Sequence, residues 1–182
     1  MPSIKMLTIN NSDKSIEEFL EIIWRALEYF PKGLWDEVKY LGDAAVRHDV
    51  KVEIKGISYG TFILDNLLDK VKRFRRTMKI KDLLLAVTMD PVIIMFSRLE
   101  SEGIKHIVGL VHDYVSTDVG IISFFTVRDK NAVMVTAHGL GHNRGLRHHG
   151  KPIDLMYEGL LKNKALDKNG FCEDCLRKIV VN

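Results

Sequence analysis

Apolar and polar positions alternate along the chain in a way that predicts strands and amphipathic helices in succession. Strand patterns cover residues 4–9, 50–57 and 83–89, the last of which is a continuous apolar run. Apolar residues at helical spacing predict helices over residues 16–30 and 64–74. Ser15 and Glu18 form a capping box before the first helix, and Pro31 ends it.

The remaining segments carry weaker patterns. Trp35, Val38 and Leu41 favour one or two helical turns between residues 31 and 49, and residues 91–103 fit either a strand with a loop or a short helix. The later assignments are strands over 107–111 and 119–127, a turn over 128–131, a helix over 132–146 and a loop-rich tail with a short helical end. Because strands alternate with helices, we expect an α/β fold bordering on α+β, with a mixed twisted sheet and flanking helices.

Composition adds limits to this outline. The chain has 182 residues, so we expect one domain over 1–182, with the sheet and helices in 1–131 and a histidine-bearing helix and tail in 132–182. No apolar run is long enough for a membrane span, and the N-terminus lacks the apolar core of a secretory signal. We therefore expect a cytoplasmic protein that does not enter a membrane.

A basic stretch over residues 70–81 raises the question of nucleic-acid binding. It contains seven Lys or Arg in twelve residues, but the formal net charge of the whole chain is only +3. Its one aromatic residue, Phe74, falls on the apolar stripe of the helix, so no stacking platform is evident. A solvated helix face is the favoured interpretation, and a nucleic-acid partner is the less favoured one.

Four of the seven histidines cluster near the end of the chain, at positions 138, 142, 148 and 149. On a helix, His138 and His142 lie one turn apart on the same face. Gly145 can end that helix in the left-handed conformation and turn the chain back, which brings His148 toward the pair. Three imidazole ligands with a fourth position open are typical of a catalytic zinc site. The alternative, a solvated helix end, does not explain the spacing.

The pattern His-x-x-x-His-x-x-Gly-x-x-His, followed by Met156, resembles that of the metzincin metallopeptidases. The stretch over residues 136–175 resembles the archaemetzincin branch best. The resemblance implies zinc on His138, His142 and His148, with Gly145 at the turn and Met156 beneath the metal in a Met-turn over residues 152–157. It also implies an active-site helix followed by a loop-rich tail that zinc holds in place, and an extended peptide or protein ligand along an edge strand within residues 105–127.

Three positions depart from that family pattern. The family's glutamate after the first histidine is Gly139 here, and two family cysteines are replaced by His149 and Asp154. Imidazole and carboxylate both bind zinc, so the resemblance still implies a second zinc. Its ligands would be His149, Asp154, Cys172 and Cys175. The alternatives are a redox pair or a plain helix start at the two cysteines, and a turn cap at Asp154.

The missing glutamate bears directly on activity, because Gly139 cannot transfer a proton. Peptide hydrolysis by the usual route should then be very slow. Either the cleft binds a peptide or partner without cleaving it, or another group serves as base. Glu158 is the nearest acidic candidate in sequence, and Tyr157 could stabilise an oxyanion. His112 and Asp113 are neighbours that should point to opposite faces of a strand, so they are not expected to act as a pair.

Overall fold

The computed structural model describes residues 3–12, 14–101, 103–162 and 166–181. The strands in these ranges are β1 (Ser3–Ile9), β2 (Glu37–Ala44), β3 (Val50–Ile54), β4 (Ile57–Ile63), β5 (Leu83–Thr88), β6 (Val92–Glu100), β7 (Gly103–Leu110), β8 (Asp113–Val115) and β9 (Val119–Ser123). The helices are α1 (Ile16–Leu27), α2 (Leu64–Thr77), α3 (Asp129–Asn143) and α4 (Glu173–Val181).

A five-stranded mixed sheet forms the centre of the fold, in the order β2-β1-β5-β9-β8. The first four strands are parallel, and β8 runs antiparallel to β9 at one edge. Alternate residues of β1 face opposite layers: Ile4 and Met6 pack with α1 and α3, whereas Leu7 and Ile9 pack with α2. Helices thus cover both faces of a largely parallel sheet, which confirms the α/β class predicted from the sequence.

A second sheet has the order β3-β4-β6-β7 and ends in the long β6–β7 hairpin. Residues 91–103, for which a short helix was one expectation, lie mostly in β6. Several large apolar side chains of this hairpin remain exposed, including Met95, Leu99 and Ile104. The hairpin leads through Leu110 and a bend at His112 into the edge strand β8, so it lies beside the region that the histidines occupy.

The expectation of helical turns between residues 31 and 49 is wrong, because this segment contains strand β2 and no helix. The strand pairs in parallel with β1, and its side chains alternate between half-buried and exposed positions. Trp35, Val38 and Leu41 imitate a helical spacing, but Trp35 lies outside the strand, and the β1–β2 register shifts between Met6 and Leu7. An edge strand with a bulge shows neither clean alternation nor a continuous apolar run.

The helices begin and end close to their predicted limits. The side chain of Ser15 accepts a hydrogen bond from the backbone N–H of Glu18 at the start of α1, as the capping box predicts. Helix α3 begins at Asp129, so the predicted turn over 128–131 is mostly its first turn. Among the described residues, no helix is both long and apolar enough to cross a membrane.

Candidate metal centre

Helix α3 positions two of the candidate ligands, and the turn at its end positions the third. His138 and His142 lie one helical turn apart. Beyond them, Gly145 has a φ of 77°, its N–H donates to the His142 carbonyl, and the N–H of Leu146 donates to the Gly141 carbonyl. These bonds make a Schellman motif, in which a left-handed residue reverses the chain. The reversal brings His148 back toward α3.

The three imidazoles converge on one point through their Nε2 atoms. The Nε2 atoms of His138 and His142 are 3.1 Å apart, those of His138 and His148 are 3.1 Å apart, and those of His142 and His148 are 3.0 Å apart. Nitrogen ligands of a tetrahedral zinc lie about 3.3 Å from one another at usual bond lengths. The triangle therefore has nearly the size that a single bound zinc ion requires.

The other ring nitrogens fix the tautomers of the two helix histidines. Nδ1 of His138 donates to the Leu155 carbonyl at 2.7 Å, and Nδ1 of His142 donates to the Leu146 carbonyl at 2.9 Å. With the proton held on Nδ1, each Nε2 presents its lone pair to the common point. Burial lowers the pKa of His138 and of His142, since it disfavours the charged imidazolium. Both rings are thus kept neutral, as metal ligands must be.

Met156 is fully buried and packs against α3. A Cβ atom at Gly141 would lie 2.7 Å from its Sδ atom, so a larger residue at that position of α3 would displace the methionine side chain. The neighbouring Leu155 supplies the carbonyl that receives His138. The turn over residues 152–157 therefore packs against α3, and it contributes a backbone group that orients His138.

A second group of candidate ligands lies where the tail meets α4. Nε2 of His149 is 3.3 Å from Sγ of Cys175, 3.7 Å from Sγ of Cys172 and 3.5 Å from Oδ2 of Asp154. All four ligand atoms lie within 4.8 Å of one another. Two sulfurs, one nitrogen and one oxygen can close a four-coordinate structural site. The structure thus brings together all four residues that the resemblance implies.

Asp154 has a second task besides facing the cysteines. Its Oδ1 accepts the N–H of Met156 and its Oδ2 accepts the N–H of Cys172, each at 2.8 Å. Burial acts to raise its pKa, but these hydrogen bonds to the ionised form outweigh burial and hold the pKa below its usual value. The carboxylate therefore caps the methionine turn and stays charged. The two interpretations of Asp154, turn cap and ligand, are compatible.

The thiol of Cys175 is poorly suited to ionise without a metal. Burial raises its pKa well above the usual range, and the adjacent Cys172 and Asp154 add to the effect. A reactive redox cysteine needs the opposite, a lowered pKa in a positive environment. The environment therefore argues against the redox interpretation of the Cys-x-x-Cys pair and fits a pair of thiols that release protons when a metal binds.

A cavity of about 690 Å³ opens in front of the three histidines. One wall is the segment from Leu110 through β8, and the opposite wall is the loop that follows Met156. Of the two candidates for catalytic roles named from the sequence, Tyr157 is buried in that wall and Glu158 is exposed at its rim. Both line the cavity, and neither forms part of the three-histidine group.

Asp113 also lines this cavity, which the sequence analysis did not foresee. His112 and Asp113 were expected on opposite faces of a strand, but both border the same cavity. Strand alternation applies only from Asp113 onward, because β8 begins there and His112 lies in a bend before it. Burial raises the pKa of Asp113 to about 6, although the nearby His142, His148 and His112 act to lower it.

Gly139 is the position where the family pattern has glutamate, and the space beside it is filled. A Cβ atom there would lie 2.8 Å from Cγ2 of Val115, 3.2 Å from Cδ1 of Ile122 and 3.3 Å from Cβ of Asp113. Glycine therefore allows β8 and β9 to approach α3 more closely than any other residue would. A larger side chain could not be added without a shift of Val115.

We expect Gly139→Ala to lower the free energy of unfolding by about 1–2 kcal/mol, because crowding against Val115 outweighs the better helix propensity of alanine. Thermal unfolding followed by circular dichroism measures the loss. Gly109→Ala is the matched control, since a Cβ atom there makes only an ordinary 3.7 Å contact with Ile94. A Gly139→Ala protein as stable as the Gly109→Ala protein would contradict the crowding.

Comparison with known proteins gives structural matches only. No protein-family profile and no curated protein matches the sequence. The crystal structure of archaemetzincin from Methanopyrus kandleri matches with a TM-score of 0.66 and 18% identity, over 99% of this chain and 94% of that chain. A zinc-dependent peptidase from Methanocorpusculum labreanum matches with a TM-score of 0.63 and 17% identity, over 97% of this chain and 99% of that chain. The chain therefore has an archaemetzincin-like zinc peptidase fold, as its histidine motif led us to expect.

Proposed function

We propose that this chain is a zinc-dependent peptidase-like protein of the archaemetzincin type, which holds one zinc ion on His138, His142 and His148. The observation that carries the proposal is the triangle of Nε2 atoms, 3.0–3.1 Å on each side, beside an open cavity. Three neutral imidazoles suit zinc, and the cavity leaves a coordination position for water or substrate. Zinc bound there would act as a Lewis acid toward a carbonyl oxygen or a water molecule.

The second group of ligands has a structural role in this proposal. His149, Asp154, Cys172 and Cys175 would fill all four positions of a zinc ion and leave none for substrate. Cys175 is buried, and Asp154 is fully buried. Such an ion would connect the methionine turn to the start of α4, and its binding free energy would add to the stability of the fold.

The edge strand β8 supports an extended peptide as the ligand. It pairs with β9 on one side, and no second pairing partner occurs among the described residues. Asp113, Tyr114 and Val115 all border the cavity. An unpaired strand edge binds extended peptides through backbone hydrogen bonds, while side chains on alternate positions provide specificity. A peptide paired there would run past the three histidines, with Met156 and the methionine turn beneath them.

The first test is metal content and cleavage on the same preparation. We expect elemental analysis of the purified chain to find about two zinc ions per chain, one for each ligand group. We also expect slow cleavage of unstructured peptides that a zinc chelator abolishes and added zinc restores. A preparation that contains no zinc and takes up none on incubation would contradict the proposal.

A non-catalytic peptide-binding protein is the second candidate function, and the observation that favours it is Gly139. The helix position that carries the proton-transferring glutamate in the family has no side chain here. In that case zinc-loaded protein should bind peptides in the cavity, lose binding with chelator, and leave every peptide intact. Peptide binding by calorimetry and peptide integrity by mass spectrometry, on the same samples, separate the two candidates.

A further inference from the structure

The three-histidine site has a zinc-binding triangle but no acidic side chain from its own helix. Hydrolysis also needs a group that takes a proton from water and delivers it to the leaving amine. We propose that Asp113, on the edge strand β8, supplies this group from the cavity wall that β8 forms and replaces the missing helix glutamate. The inference rests on the proposed zinc-dependent peptidase function and names the residue that makes hydrolysis feasible.

The position of Asp113 follows directly from the glycine on α3. Its Cβ is 3.3 Å from the point where a Cβ of residue 139 would lie. Because Gly139 has no side chain, β8 packs against α3 at the place from which a glutamate side chain would otherwise project. The strand therefore places a carboxylate beside the helix face where the family pattern has one. The two features, glycine on the helix and aspartate on the strand, are complementary.

The surroundings of Asp113 leave its carboxylate available to the cavity. It borders the same cavity as the three histidines, and it lies close enough to His142 and His148 to interact with them electrostatically. Within the part of the chain that the structure describes, no side chain or backbone N–H donates a hydrogen bond to its carboxylate. A partly buried carboxylate without a protein donor is costly, and such groups are typical of functional sites.

Asp113 is better placed for proton transfer than for metal ligation. The ligand atoms that lie within 4.8 Å of one another are those of His138, His142 and His148, and Asp113 is outside this group. A group one step beyond the ligands can contact a water molecule that lies between it and the metal position. Glu158, the acidic candidate chosen from the sequence, is an exposed side chain at the rim of the cavity.

The proposed step balances without any further reactant than water. The Asp113 carboxylate accepts one proton from a water molecule in the cavity as the water oxygen forms a bond to the peptide carbonyl carbon. When the carbon–nitrogen bond breaks, the protonated carboxyl gives that proton to the leaving nitrogen. The products are a carboxylic acid and an amine, and Asp113 returns to its carboxylate form. A positioned base of this kind contributes about 10²–10⁴-fold to the rate.

The test compares Asp113→Asn with the matched control Glu158→Gln, since both remove one carboxylate from the cavity wall. We expect Asp113→Asn to lower kcat/KM for peptide cleavage by about 10²–10⁴-fold, and Glu158→Gln to change it less than tenfold. Asparagine has the shape of aspartate, so the variant should fold. Asp113→Ser, which is smaller, is measured in parallel and should show the same loss.

Two readouts that do not depend on turnover accompany the rates. Zinc affinity, measured by competition with a chelator, should change less than tenfold in Asp113→Asn, because the residue is not a ligand. Acetohydroxamic acid, a small zinc-binding compound whose N–OH group can donate a hydrogen bond to a nearby carboxylate, should bind Asp113→Asn about tenfold more weakly by calorimetry. It should bind Glu158→Gln as it binds the unchanged protein.

The outcomes separate this inference from the proposed function. If the unchanged protein binds zinc but cleaves nothing, the hydrolytic function fails, and the acid–base role of Asp113 fails with it. If the unchanged protein cleaves peptides and Asp113→Asn cleaves them equally well, only the assignment of Asp113 is overturned. A loss of roughly a hundredfold in the zinc affinity of Asp113→Asn would show that Asp113 binds the metal or holds one of its ligands in place, and it would also overturn the assignment.

Discussion

Cys175→Ser should lose one of the two expected zinc ions and unfold roughly 10 °C below the unchanged protein. Cys175 is buried, and its Sγ lies 3.3 Å from Nε2 of His149. A serine hydroxyl at this position has the right size but is not a zinc ligand in protein sites. We expect the free energy of unfolding to fall by about 3–5 kcal/mol, as is usual when a structural metal is lost.

The reason for so large an effect is the position of the second ligand group. It joins His149, just beyond α3, to the start of α4, whose Ile179 is buried in the main core. Thermal unfolding and zinc content, measured on the same samples, give the result. The control is Glu173→Gln, next to the site but exposed and paired with exposed Arg177, for which we expect a change within about 0.5 kcal/mol. Retention of both zinc ions by Cys175→Ser would exclude the proposed ligand set.

His142→Ala should keep the structural zinc and lose the other one. Its Nε2 is one corner of the triangle, and two remaining imidazoles hold zinc far more weakly than three. We expect about one zinc ion per chain and a fall of at least about a thousandfold in peptide cleavage, because the Lewis acid is gone. Elemental analysis and a peptide cleavage assay measure the two effects.

The matched control for that variant is His106→Ala. His106 is an exposed histidine on β7 whose ring contacts Ser97 and no metal-binding group. Its replacement should leave zinc content and cleavage unchanged. If His142→Ala retained full cleavage, the activity would come from another site or from a contaminant, and the three-histidine centre would have to be abandoned as its source.

The candidate ligands were open to prediction because their arrangement is local. An i,i+4 pair on a helix and a glycine that ends the helix are both defined by spacing within a few residues. The structure shows the same helix, the same left-handed Gly145 and the same three histidines together. The second group also came from spacing, but only through the family resemblance, because its members lie far apart along the chain.

Strand β2 and the position of Asp113 could not be predicted, because both depend on contacts between segments that are distant in the sequence. Strand β2 pairs with β1 across more than thirty positions, and its half-exposed residues carry no clear period. Asp113 approaches Gly139 only because β8 packs on α3, and its neighbour His112 lies in a bend where strand alternation does not apply. The sequence showed that Gly139 stands where the family has glutamate. Only the structure showed that Asp113 lies beside that position.

His148 and His149 are consecutive, yet they belong to different ligand groups. The backbone of His149 is held by the methionine turn, since its N–H donates to the Met156 carbonyl at 2.7 Å and its carbonyl accepts the N–H of Glu158 at 3.1 Å. An ion on the second group would therefore restrict the one ligand of the first group that does not come from α3. Two ions bound there would be thermodynamically linked through a single peptide bond, and each should raise the affinity for the other by the same factor.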